Sequence, residues 1–322
     1  MTAARLPEGV AALPRRRFCA ALALGAAAGT RAAGPGVVHE VGPGRQFPTI
    51  AEAARAARDG DTVEVQAGEY RADVASWTQQ QLRLRAVGGR VRLLADGASA
   101  EGKGIWVVRG GDIHVEGFDF EGARAATRNG AGIRFEKGRL TVADCRFRDN
   151  ENGILTASDR AAELVIERSL FQGNGAGDGQ SHNLYVGRIA RLTVTDSAFH
   201  DARGGHLLKS RAARSAVHRN QLTDSDAGQS SYELEFPSGG LVHASHNRLR
   251  QGPGTTNSTM VSYGAEGYPW PENRLVLHDN LFIDDRPAGG IYLRVAPGER
   301  QVDLQGNRLE GASRTRAREL TY

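Results

Sequence analysis

Val194-Thr-Asp-Ser-Ala-Phe199 is followed, with its last residue 23 positions further on, by Val217-His-Arg-Asn-Gln-Leu222. Both copies run apolar, two variable, a small or Asn position, one variable, then Phe or Leu. Working outward, the pattern recurs as Val115…Phe118-Asp-Phe120, Val142…Cys145-Arg-Phe147 and Ile166…Ser169-Leu-Phe171 on one side. On the other it recurs as Ala244…Asn247-Arg-Leu249, Leu277…Asn280-Leu-Phe282 and Leu304…Asn307-Arg-Leu309. Successive copies end 27, 24, 28, 23, 27, 33 and 27 residues apart. A period in the twenties, carried by short apolar runs, marks a solenoid in which each turn buries its face only against the next.

Each turn is expected to hold one strand inside the pattern and one before it. The earlier strands are Gly132-Ile-Arg-Phe-Glu, Gly153-Ile-Leu-Thr, Asn183-Leu-Tyr-Val, Gly205-His-Leu-Leu-Lys, Tyr232-Glu-Leu-Glu-Phe, Thr259-Met-Val-Ser-Tyr and Gly290-Ile-Tyr-Leu-Arg. Stacked coils place equivalent strands about 4.8 Å apart, so residues one period apart become neighbours. The recurring Phe or Leu then forms an internal stack, and recurring Asn bonds between coils at a bend. Ahead of the repeats, Thr49 and Glu52 make a capping box, Ile50, Ala53, Ala54 and Ala57 form one apolar stripe, and Gly60 ends the helix.

On these residues the chain resembles the right-handed parallel β-helix proteins of the pectin-lyase-like superfamily, over roughly residues 38–311. The capping helix in Phe47-Pro-Thr-Ile-Ala-Glu-Ala is part of the likeness. The resemblance implies an all-β, single right-handed parallel β-helix with a short N-terminal capping helix. That superfamily holds polysaccharide lyases, hydrolases, epimerases, esterases and noncatalytic adhesins, so function has to come from the site.

Charge narrows the partners. The whole chain carries a formal +4, but residues 1–33 hold five arginines against Glu8, which is the entire excess. Residues 34–322 are formally neutral, so nothing in the overall charge points to nucleic acid. Pro14-Arg-Arg-Arg-Phe18 precedes the apolar run Cys19–Ala28, which is too short to span a membrane and reads as a twin-arginine secretion signal. Residues 1–33 are therefore expected to be a leader and 34–322 a periplasmic or secreted domain without a membrane span. Removing the leader would leave Cys145 as the sole cysteine, with no intramolecular disulfide.

Chemistry concentrates between Ser181 and Gly240, where three consecutive coils bring Tyr185, the His206–Arg211 run, and Glu233 with Glu235 into one band. In Gly205-His-Leu-Leu-Lys-Ser-Arg, an inward Lys209 would be a costly buried ammonium, so Leu208 is placed inward with Lys209 and Arg211 outward. Leu234 and Phe236 alternate inward, which would put Glu233 and Glu235 side by side facing out, at a spacing between those of retaining and inverting glycosidase pairs. His182 and Asn183 at the edge of the band are expected to bind substrate. So are Tyr263, Tyr268 and Trp270, which could stack on sugar rings from two insertions between Leu249 and Phe282. His218, His243 and His246 read as stacked surface residues.

A band of this composition suits an acidic polysaccharide. β-Elimination needs a cation for the sugar carboxylate, a base for the C5 proton and an acid for the departing oxygen. Lys209 or His206 is the candidate base, Arg211 the neutraliser and Tyr185 the acid. Lys209-Ser210 resembles the lysine-serine strand of the alginate and chondroitin B lyases, in which the resemblance implies a lysine base and an arginine acid on the next coil. Here the next coil carries Glu233 and Glu235 instead, and Asn183–Gly187 lacks the family's calcium-binding glutamates. Glu233 and Glu235 are open to a second role as ligands of a divalent cation such as calcium. Lyase or epimerase is the leading expectation, although no Asp-Pro-His element of the epimerase kind is present. A hydrolase using the Glu pair and a noncatalytic polysaccharide binder are the alternatives.

Overall fold

Phe120, Phe147, Phe171 and Phe199 form a column of nearly parallel rings inside the molecule, with centroids 4.9, 4.6 and 4.7 Å apart. That spacing is the rise of one β-coil on the next, and the column continues in aliphatic form through Leu222 and Leu249 to Phe282, all buried. The computed structural model describes residues 36–311; the expected leader, 1–33, lies outside them. The described part is a parallel β-solenoid of about 10 turns, the expected β-helix fold.

Coils are built from three strands rather than the two expected. In one coil these are Leu184–Val186, Arg191–Thr195 and Ala198–His200, each paired in parallel with Leu208–Ser210, Arg214–His218 and Gln221–Thr223 of the next. The recurring sequence pattern thus straddles two strands. Between them one residue adopts the left-handed conformation: Asp144, Arg168, Asp196, Arg219, His246 and Asp279 all have φ between 47° and 57°. A left-handed residue cannot continue a ladder, so it bends the chain and divides the pattern.

The residue after this bend turns inward and links the coils. Asn220 Nδ2 donates to Asn247 Oδ1 at 3.1 Å, Asn247 to Asn280 at 3.0 Å, and Asn280 to Asn307 at 3.0 Å. Each Oδ1 also accepts the backbone N–H of the asparagine before it. A buried amide left without partners would cost about 1–3 kcal/mol, so the ladder sets coil register as well as stability. Asn150 and Asn174 begin a second ladder that ends on Asn183.

The N-terminal end is closed by the helix Ile50–Ala56. Thr49 Oγ1 accepts from Glu52 N at 3.2 Å, while Asp73 takes the amides of Ile50 and Ala51. The helix stops before Gly60, because Ala57 already leaves helical geometry. Ile50 and Ala53 are buried against the first coils, next to the Trp77–Trp106 pair. Cys145 is a free, buried thiol that burial pushes up to about 12, which makes it a packing residue.

Candidate active site

Strand register assembles the site. Outward positions of one sheet align as Arg134, Leu155, Tyr185, Lys209, Glu235, Ser262 and Arg294, one per coil. The inward neighbours Leu184, Leu208 and Leu234 are buried, so Lys209 faces out as expected. Leu207 is buried as well, at the bend before the strand.

Tyr185 and Lys209 occupy adjacent rungs, about 4.8 Å apart along the stack. Tyr185 Oη accepts a hydrogen bond from Arg211 Nη1 at 2.6 Å, and the guanidinium carbon stands 5.1 Å from the tyrosine ring centre. Lys209 Nζ is 2.8 Å from Glu235 Oε2. Arg211 is also held by Glu266, whose carboxylate takes Nε at 2.7 Å and Nη2 beside it. Arg211 therefore enters the site already paired, rather than as the open cation the sequence suggested.

Behind this ladder lies a stack of rings. His182 meets His206 at 4.4 Å between centroids, and His206 meets Tyr232 at 5.0 Å. His182 Nδ1 accepts the His206 backbone N–H at 2.9 Å, so the proton of neutral His182 sits on Nε2. His206 Nδ1 lies 3.0 Å from that same nitrogen and acts as the donor, which leaves His206 Nε2 bare, 3.7 Å from Glu235 Oε2. Burial, helped by Lys209 and Arg211, pulls His206 down to about 3. Burial, then His206 and the two cations, holds His182 well below its usual value. His206 thus lies buried behind the outward rungs of Lys209 and Glu235.

Several expected site residues are elsewhere. Glu233 does not share a face with Glu235: it precedes the strand Leu234–Phe236 and is fully buried in the coil interior. Burial pushes its carboxyl well up, with Asp224 acting in the same direction. The strand is too short for the assumed alternation to reach it, so no outward carboxylate pair exists. A cation shared by Glu233 and Glu235 is excluded by the same geometry, and among the described residues no cluster of three or more His, Cys, Asp or Glu could hold a metal. Asn183 is fully buried in the second asparagine ladder, and His182 is buried beneath Tyr185. Neither can touch a polymer.

The three loop aromatics also have structural partners. Tyr263 points into the core and donates to Gly240 O at 2.7 Å. Tyr268 is clasped by Gly239, Gly264 and Gly298, where an added Cβ would come within 2.3–2.5 Å of its ring or hydroxyl. Trp270 is buried, donates through Nε1 to Arg211 O at 3.1 Å, and has Arg160 over its ring. Tyr268 and Trp270 thus pin the insertion 264–273 across the coil edge, while Tyr263 ends the strand Thr259–Tyr263 at the cleft.

Next to Glu235 the ladder opens into a cleft of about 470 Å³, lined by Ser262, Tyr263, Gly264, Ala265 and Gly267, with Tyr232 and Arg294 at its sides. None of Tyr232, Ser262, Glu266 or Arg294 was singled out from sequence. Arg294 had a readable signal: Gly290-Ile-Tyr-Leu-Arg294 repeats the spacing of Gly205-His-Leu-Leu-Lys209. Glu266 had none, being in an insertion.

No protein-family model matches the chain, and no curated protein does. A crystal structure of an alginate lyase from Paenibacillus sp. str. FPU-7 superposes with a TM-score of 0.53 at 12% identity, covering 85% of this chain and 99% of that one. The two share a fold. At that identity the likeness carries the β-helix and its coil stacking, while the chemistry rests on the residues of this β-helix. No helix among the described residues is long and apolar enough to cross a membrane.

Proposed function

We propose that this β-helix is a polysaccharide lyase that cleaves a uronate-containing glycan by β-elimination. One observation carries the reading: a tyrosine and a lysine on adjacent outward rungs, the phenol oxygen held by Arg211 and the ammonium by Glu235, beside an open cleft. The fold shared with an alginate lyase is in keeping with it.

Their contacts favour one direction of proton flow, the reverse of the assignment suggested by sequence. In this step Tyr185 enters as the phenolate, its oxygen paired with the donating Arg211 guanidinium, and accepts the C5 proton. Lys209, matched to a carboxylate, is the donor. The C5–H electron pair becomes the C4=C5 double bond, the C4–O bond breaks, and Lys209 protonates the leaving glycosidic oxygen. Glu266 marks where a carboxylate fits against Arg211, and the substrate carboxylate takes that place as the sugar binds, offsetting the charge that develops next to C5. The proton ends on Tyr185, Lys209 is left neutral, and exchange with solvent resets both.

The test is ultraviolet absorbance during digestion of alginate, pectate and glycosaminoglycans. A rising signal reports the unsaturated uronate. A flat trace with every polymer overturns elimination; epimerisation would then show as a changed uronate ratio, and a pure binder as affinity without product. Export through the leader would bring the enzyme to such polymers, which cell fractionation checks.

A further inference from the structure

We infer that His182 is a positioning residue for Tyr185: its buried ring is the platform that holds the phenol in place while Arg211 exchanges partners. The inference rests on the lyase reading for what Tyr185 does, and on the rings stacked behind it for how it is held.

The strand Leu184–Val186 is paired on both sides, with Asn152–Thr156 and Leu208–Ser210, which fixes the Tyr185 backbone but not the rotation of its ring. The phenol oxygen takes Arg211 Nη1 at 2.6 Å, yet that guanidinium also carries Glu266, the pair that the proposed reaction opens. A phenol anchored through its oxygen alone would therefore move as Arg211 changes partners. The His182 ring lies 5.2 Å from the tyrosine ring, centre to centre, and within 13° of parallel, which is the arrangement of an offset stack. What keeps His182 in place is on the coils either side. Its Nδ1 accepts the His206 backbone N–H at 2.9 Å and faces His206 Nδ1 at 3.0 Å, so the imidazole plane cannot turn without losing both. Gly205 makes that approach possible: a Cβ there would collide with Ser181 O and come within 2.9 Å of His182 Nδ1. On the preceding coil Asn152 Oδ1 accepts the His182 backbone N–H at 3.0 Å. His206 in turn stacks on Tyr232 at 5.0 Å, so rings from three coils back the phenol. Phenylalanine at position 182 would supply the ring face without the anchor, and asparagine the anchor without the ring face. Histidine supplies both, from a buried position that no polymer reaches.

The test compares His182→Asn, whose Oδ1 can stand in for Nδ1, with His182→Phe, by initial rates on the polymer that yields unsaturated product. His182→Asn should melt near wild type, lower kcat by about 10–100-fold and leave KM within about twofold. His182→Phe leaves two buried N–H groups without an acceptor, so it should melt lower, yet keep kcat within about threefold for the folded fraction. A histidine that serves only the coil gives the opposite pattern, asparagine fully active and phenylalanine impaired, and that result overturns the inference. An equal loss of kcat in both variants overturns it too. A second readout needs no turnover and serves if the phenylalanine variant does not fold: fluorine NMR of protein labelled with 3-fluorotyrosine, its Tyr185 line assigned by Tyr185→Phe. His182→Asn should move that line toward its position in the unfolded chain; an unmoved line overturns the platform. The two readings fail separately. A moved line without unsaturated product from the wild type sinks elimination alone, and product formation with an unmoved line and undiminished kcat in His182→Asn sinks the platform alone.

Discussion

At the residue scale, Tyr185 and Lys209 are half-buried side chains whose nearest polar partners are Arg211 and Glu235. Neither supports the core, so removing either should separate chemistry from folding. Lys209→Ala and Tyr185→Phe are each expected to lower kcat by about 10²–10⁴-fold with little change in melting temperature. An initial-rate assay beside a thermal melt checks both numbers. Two buried groups, by contrast, tie stability to pH with opposite signs. His206 titrates near 3 in the folded protein and near 6.5 when unfolded, so the unfolded chain gains a proton first as pH falls. Stability present above about pH 6.5 is lost on the way to 3, by at most about 3 kcal/mol at pH 4.5, with His182 acting in the same sense. Glu233 is raised instead, so its folded form keeps a proton that the unfolded chain releases, and stability falls as pH rises above about 4.5. Glu233→Gln preserves a neutral polar group that can hydrogen-bond to Gln251 as Glu233 does. The variant should match wild type near pH 4 and melt higher at about pH 8; a constant gap across that range would show that Glu233 is not the group responsible.

At the element scale, the insertion 264–273 is held by three unlike contacts: Tyr268 among its glycines, Trp270 on the Arg211 carbonyl, and Glu266 on the Arg211 guanidinium. The first two set where the loop lies. The third is a charge pair whose glutamate side chain is 39% exposed and hence exchangeable. If Glu266 holds the place of a substrate carboxylate, Glu266→Gln removes a competitor. KM should fall several-fold and kcat stay within about twofold. A fall in kcat would mean that Glu266 fixes Arg211 for catalysis. Tyr268→Ala, which frees the loop without touching Tyr185 or Lys209, should cut kcat/KM by about 10–100-fold. Proteolytic nicking between Gly264 and Asn273 should increase in parallel.

On the scale of the whole molecule, coils touch mainly their neighbours, so a local change is felt through the stack. Asn247 links three coils, taking the backbone and side-chain amides of Asn220 while donating to Asn280 and Val217 O. Asn247→Ala leaves buried donors unpaired and is expected to cost about 2–4 kcal/mol. Asn307 lies in the coil Gln301–Gly311, whose strands are largely exposed, with Val302, Leu304 and Leu309 among the exposed apolar residues. Asn307→Ala should cost less, and hydrogen exchange should be fastest in that coil; equal protection from Phe147 to Leu309 would contradict a neighbour-by-neighbour account.

The period of Phe and Leu, the asparagines and the capping helix were legible in the chain because they are the interior of a stack: apolar burial acts at every coil alike and leaves a repeating trace. Register was legible for the same reason, and it placed Tyr185, Lys209 and Glu235 on one band. What the sequence could not determine is which polar side chain stays outside. Glu233 and Glu235 look alike two residues apart, yet a three-residue strand leaves one within the core and the other on the cleft. Tyr263, Tyr268 and Trp270 read as sugar-stacking rings until glycines and carbonyls from other coils cover them. Arg211 reads as an open cation until Glu266, 55 residues away, binds it. Short-range pattern reports burial that recurs with the coil; pairings made once, by loops, exist only in the folded molecule, because the partner is chosen by distance in space rather than along the chain.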